Sequence, residues 1–162
     1  MSKTNLHSII LISLIFLMSS FIFAEDKVLT EIQKEAVAMV NKAGALLEKT
    51  GDEGLKSISN PEGDFYIKEK ALYAFVYDEN CVMLAHPYKP NLIGKSYKGK
   101  PDFKGKMFRD DIVKKAIENG DGWTIYTYQK PGDNKLHYKT AYGKLFKHND
   151  KKYIVVSGVY KN

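Results

Sequence analysis

The chain has 162 residues, 44% hydrophobic and 27% charged, with 25 Lys and Arg against 19 Asp and Glu for a formal charge of +6. That length suffices for one globular domain and excludes two. A basic balance raises nucleic acid as a partner, but an export signal at the start withdraws it, so the excess lysine reads as a solvated surface with a bias towards anionic ligands.

In the first two dozen residues, Lys3 supplies a positive start, Ile9 to Leu17 is apolar apart from Ser13, and Ala24 precedes Glu25 and Asp26. Residues 1–24 thus read as a secretory signal peptide. Ile22 stands where a small residue is usual before the cut, and Leu6 to Ala24 is just long enough to stay as an uncleaved anchor. Either way, residues 25–162 are expected to be periplasmic or otherwise extracytoplasmic. No second apolar stretch of spanning length follows. Cys81, the single cysteine, has no internal disulfide partner and reads as a small buried hydrophobe.

From Lys27 to Thr50, apolar residues at Leu29, Ile32, Ala36, Met39, Val40, Ala43 and Leu47 step by three and four, which predicts an amphipathic helix stopped by Gly51. A long helix after a membrane signal is also a candidate homodimer surface. Asp52 to Asn60 predicts a short second helix, broken by Asn60, Pro61, Glu62 and Gly63.

The centre of the chain is Ala71 to Tyr88. Leu72, Ala74 and Val76 alternate with Tyr73, Phe75 and Tyr77, and Cys81 to Ala85 is apolar throughout, so both runs read as strands joined by Asp78, Glu79 and Asn80. Residues 87–105, rich in proline and glycine, form a long loop over the sheet, anchored by Asn91 to Gly94. Phe108 to Asn119 resumes helical spacing. Trp123 to Gln129, Leu136 to Leu145 and Lys152 to Tyr160 are three further strands in hairpin connection. The class is α+β with an antiparallel five-stranded sheet. Its first helix should cover one face and the loop with the Phe108–Asn119 helix the other, with a small-ligand cavity between loop and sheet.

Several short motifs then fall in order: CVMLAHP (81–87), NLIG (91–94), Asp102, Gly105 and Phe108, GWTIY (122–126) with Lys130 and Pro131, Lys139 and Tyr142, and SGVY (157–160). On these, the chain from about Lys27 to its end resembles the single Cache domains, extracytoplasmic sensor modules with a PAS-like sheet and a long N-terminal helix. Proteins similar to it are ligand-binding domains of chemoreceptors and sensor kinases, and many bind short carboxylates such as acetate, propionate, lactate or pyruvate. The resemblance therefore implies a single Cache ligand-binding domain over residues 25–162, a small carboxylate ligand, a membrane receptor or sensor kinase as partner, and no cofactor. Those receptors continue into a second membrane span, whereas this sequence ends two residues after SGVY, so a separate signalling partner is expected.

A buried carboxylate needs a cation or several donors. By the resemblance, His86 points into the cavity and donates to the ligand, with a pKa near neutrality that would make affinity depend on pH. Lys139 lies in a strand, where a charge is costly without a partner, and the matching family position meets the ligand carboxylate. Period-two alternation groups Lys139 with His137 and Ala141, and Tyr142 with the opposite set. Lys139 is therefore preferred over Tyr142. Tyr73, Phe75, Trp123, Tyr126 and Tyr128 are the candidate walls. Arg109, the only arginine, is apt for a bidentate carboxylate contact but reads as surface. No nucleophile elbow, phosphate loop or paired metal-ligand spacing occurs, so catalysis is not expected. The alternative to ligand sensing is an interaction module that docks on a membrane sensor and binds no ligand.

Overall fold

The structure, a computed structural model, describes residues 28–161; residues 1–24, expected from the sequence to be a signal peptide, lie outside them. Helix α1 spans Glu31–Thr50. It starts later than the apolar spacing suggested because Thr30 forms a capping box with Gln33, which satisfies the first free backbone donors. Gly51, at φ 57°, ends it. The short helix α2 is Glu53–Ile58. Among the described residues no helix is long and apolar enough to cross a membrane.

The strands are β1 (Tyr66–Ile67), β2 (Leu72–Tyr77), β3 (Met83–Ala85), β4 (Asp121–Gln129), β5 (Leu136–His148) and β6 (Lys151–Tyr160), with helix α3 (Phe108–Asn119) before β4. The sheet is antiparallel in the order β1-β2-β6-β5-β4, with β3 pairing the same edge of β2 as β1 does, at the opposite end of that strand. It contains the five expected strands and a sixth, β1, whose two residues are too few to carry a periodic signal. Strand β3 begins later than Cys81. Asp78 Oδ1 accepts from the backbone N–H groups of Asn80 and Val82, both at 2.8 Å, and Cys81 stands at φ 58°, so the turn runs two residues further.

Alternation splits the core in two. Leu72, Ala74 and Val76 pack with Tyr142, Phe146 and Val155 beneath Ala36, Met39, Val40, Ala43 and Leu47 of α1. Tyr73, Phe75 and Tyr77 face the other way, with Tyr126, Ala141 and Val156, beneath Phe108, Ile112 and Ala116 of α3. Helix α1 meets the sheet very closely at Gly44, where a Cβ would sit 2.2 Å from Phe146 Cζ. Gly44→Ala is therefore expected to lower stability by about 1–3 kcal/mol in denaturant unfolding, although alanine is the better helix former by roughly 1 kcal/mol. An unchanged or raised midpoint would show that the Phe146 ring yields freely.

The loop between β3 and α3 is ordered, as expected. Gly94 N donates to Met83 O at 2.8 Å and Tyr97 N to Cys81 O at 2.9 Å, so the chain doubles back beside β3. Asp102 then crosses to the free edge of β4 and accepts the Thr127 N–H at 2.8 Å, while Lys115 Nζ donates to Trp123 O at 2.9 Å. Both contacts occupy backbone groups that an open edge would leave exposed.

Candidate functional site

His86 follows the last residue of β3 and precedes Pro87, and it is 2% exposed. Its Nδ1 accepts two backbone N–H groups, Tyr88 at 3.1 Å and Lys89 at 3.0 Å. An acceptor at Nδ1 places the proton of the neutral imidazole on Nε2, the ring edge away from that backbone. Burial, followed by the charges of Lys139 and Lys89, lowers its pKa to about 3. The expected titration near neutrality is thus corrected: His86 is a fixed neutral donor, because desolvation and two lysines oppose a second proton.

Lys139 occupies β5 opposite Tyr126 of β4 and Tyr160 of β6. The register is regular there, so alternation alone aims it away from α1 and sends Tyr142 towards α1. Its side chain is fully buried. Nζ lies 4.0 Å from the Tyr73 ring centroid, 4.8 Å from Tyr160 and 5.2 Å from Phe75. Among the described residues, this amine has no hydrogen-bond partner. Burial, then the charge of Lys89, holds its pKa well below the usual lysine value. Three ring faces give some cation–π compensation, but no acceptor.

Beside the amine is a hollow lined by Tyr73, Phe75, Tyr77, Met83, His86, Phe108, Tyr126 and Tyr128. Its free space, about 10 Å³, holds roughly one water. Phe75 stacks on the imidazole at 5.6 Å, and Phe108 stacks on Tyr126 at 4.0 Å. The Tyr73 and Tyr160 hydroxyls are 3.1 Å apart, and Tyr160 donates to Gln129 O at 3.0 Å. Such a set offers a buried amine, an imidazole N–H and phenol hydroxyls, with no carboxylate on the wall. Chemically it suits an anion of few atoms, provided that the rings part to admit it. Among the described residues no cluster of three His, Cys, Asp or Glu could hold a metal ion.

The structure brings Tyr73, Phe75, His86, Tyr126 and Tyr128 together around this hollow, with Lys139 against two of its rings. Trp123 does not belong there. It is an odd number of residues from Tyr126, so it faces the α1 side and packs on Tyr142 at 5.2 Å between centroids. Arg109 is corrected from surface to buried, at 8% exposure, because the loop residue Tyr97 and its neighbour Phe108 enclose its guanidinium. Tyr77, Met83 and Phe108 were missed as lining residues. Tyr77 shares the parity of Tyr73 and Phe75 and could have been found by it; Met83 and Phe108 depend on how the loop and α3 close over the sheet.

Solved structures share this architecture. A Cache chemosensory domain whose structure is described as the basis of its carboxylic acid recognition matches with a TM-score of 0.67 and 26% identity, over 81% of this chain and 94% of its own. A periplasmic sensor domain of a chemotaxis protein matches with a TM-score of 0.63 and 23% identity, over 81% and 91%. A methyl-accepting chemotaxis protein from Vibrio parahaemolyticus RIMD 2210633 follows, with a TM-score of 0.65 and 18% identity, over 80% and 88%. The family model described as single Cache domain 2 matches residues 24–162. With that match spanning most of its length, the chain belongs to the single Cache domain 2 family.

Proposed function

We propose that the protein is an extracytoplasmic sensing domain that binds a short-chain carboxylate of the acetate, propionate, pyruvate or lactate class and relays occupancy to a membrane receptor or sensor kinase. The observation that carries the reading is Lys139, fully buried with an amine that lacks any hydrogen-bond partner among the described residues. An entering carboxylate would accept from that amine and from His86 Nε2, replacing a costly unpaired group with a charge-assisted pair. Tyr160, whose ring lies 4.8 Å from the Lys139 amine, is the last residue of β6 and would link the site to the end of that strand. A homodimer through the exposed side of α1 is the quaternary part of the same proposal.

Isothermal titration of the exported, purified protein with acetate, propionate, pyruvate and lactate tests it. Saturable heat is expected with at least one of the four, and flat traces for all would overturn the ligand class. The small hollow favours a second reading, in which the aromatic side chains simply fill the site and the protein docks on a membrane sensor without a ligand; flat traces would select it.

A further inference from the structure

Beyond the start of α1 the sheet loses its cover. Successive contacts pair Glu48 with His148, Gly44 with Phe146 and Asn41 with Lys144, so the helix runs antiparallel to β5 and begins towards the start of that strand. There Leu136 and Tyr138, with Ile125 of β4, share the sheet face of Tyr142, and all three are about half exposed. Loop 98–106 stands at the same end. Asp102 Oδ2 accepts the N–H of Thr127, which lies opposite Tyr138 in the ladder, and Lys104 Nζ donates to the Tyr138 hydroxyl, 4.2 Å from that ring's centroid. The loop reads KGKPDFKGK, four lysines around one phenylalanine. Asp102 Oδ1 accepts from the Lys104 and Lys106 N–H groups at 2.8 and 2.9 Å, and Gly105 turns the chain at φ 83°. That turn holds Phe103 out at 79% exposure, although burying such a ring is favourable. Lys106 reaches Asp111 at 3.7 Å and Asp110 accepts the Gly99 N–H at 2.9 Å. Among the described residues, the exposed Lys98, Lys100 and Lys104 form no ion pair.

A single exposed apolar side chain is ordinary; an aromatic tip, an apolar strip and unpaired lysines gathered at one end are not. Apolar groups rimmed by cations suit the boundary between acyl chains and phosphate head groups. The course of the chain favours lipid over an acidic protein. Residues 6–24, the expected signal or anchor, are joined to Thr30 by residues 25–30 alone, which span at most about 20 Å when extended. The start of α1, and with it this end of the sheet, therefore faces the bilayer whenever that segment is in it. We propose that this end of the domain rests on an anionic membrane surface, with Phe103 inserted below the head groups and Lys98, Lys100, Lys104 and Lys106 on their phosphates. The contact is independent of what the hollow beside Lys139 binds.

Phe103→Trp in the full exported chain tests it, since the only native tryptophan, Trp123, supplies a background that the wild-type protein measures. Vesicles of phosphatidylcholine mixed with phosphatidylglycerol are expected to shift the F103W emission to the blue, and brominated acyl chains to quench it. Phosphatidylcholine alone should do neither, and raised salt should weaken both effects. In the same background, Lys98→Glu with Lys100→Glu should raise the lipid needed for half the shift by about a hundredfold. An emission unmoved by anionic vesicles overturns the proposal, as does a shift that neutral vesicles match or the double reversal leaves unchanged. A shift caused by poly-glutamate and not by vesicles would assign the face to an acidic protein. One that appears on raising the protein concentration without lipid would assign it to a second copy of the chain. Either result overturns the membrane contact.

Discussion

Replacement of Lys139 by methionine is expected to abolish carboxylate binding and, in the same molecule, to stabilise the ligand-free fold. In the wild-type site the amine has no acceptor among the described residues and is fully buried, so the empty domain carries the cost of an uncompensated polar group. A side chain of similar length without an amine removes that cost, and a buried polar group left unpaired costs about 1–3 kcal/mol. Binding moves in the opposite direction. Deleting one member of a buried ion pair costs about 3–5 kcal/mol, which is two to three orders of magnitude in Kd. Denaturant unfolding and calorimetry on Lys139→Met read the two effects separately. Normal affinity would remove Lys139 from the site. A large drop in stability would show that its packing against Tyr73, Phe75 and Tyr160 outweighs its charge.

Acidification from neutrality should destabilise the domain through His86. Its pKa is about 3 in the folded protein against 6.5 for the free group, so between those values the unfolded chain binds a proton that the folded chain refuses. Stability therefore falls as the pH falls through that window, with a slope of up to about 1.4 kcal/mol per pH unit and an upper bound near ~5 kcal/mol. That bound is comparable with the whole stability of an ordinary domain. Depressed carboxyls such as Asp52 and Asp102 also weaken the fold in acid, but their loss begins only below the ordinary carboxyl pKa, near 4. His86→Asn separates the contributions, since Asn Oδ1 can accept the Tyr88 and Lys89 N–H groups in place of Nδ1 and does not titrate. Unfolding midpoints at pH 7, 6 and 5 should decline more steeply for the wild type than for H86N, which keeps only the contribution of Lys139, of the same sign. Parallel profiles would show that His86 is protonated in the fold without penalty.

Much of the site was legible before folding because β-strand parity is a local property. Tyr73, Phe75 and Tyr77 had to share a face once β2 was recognised, and Lys139 had to oppose Tyr142. The same rule, had it been applied to β4, would have separated Trp123 from Tyr126 and Tyr128, which were grouped by aromatic character instead of by position. His86 could be placed just after its strand but not given a protonation state, since its pKa answers first to burial and then to Lys139 and Lys89, the former some fifty residues away in the chain.

By itself the sequence determined the α+β class, the two faces of the sheet and the presence of a strand lysine in need of a partner, all of which follow from periodicity and from the cost of burying charge. Only the tertiary structure decided that Arg109 is enclosed, that the rings leave little more than the space of one water, and that the Lys139 amine is buried with no acceptor among the described residues. Those facts depend on how the loop and α3 close over β2 and β4, and desolvation is set by every atom that closes a space, whatever its distance along the chain.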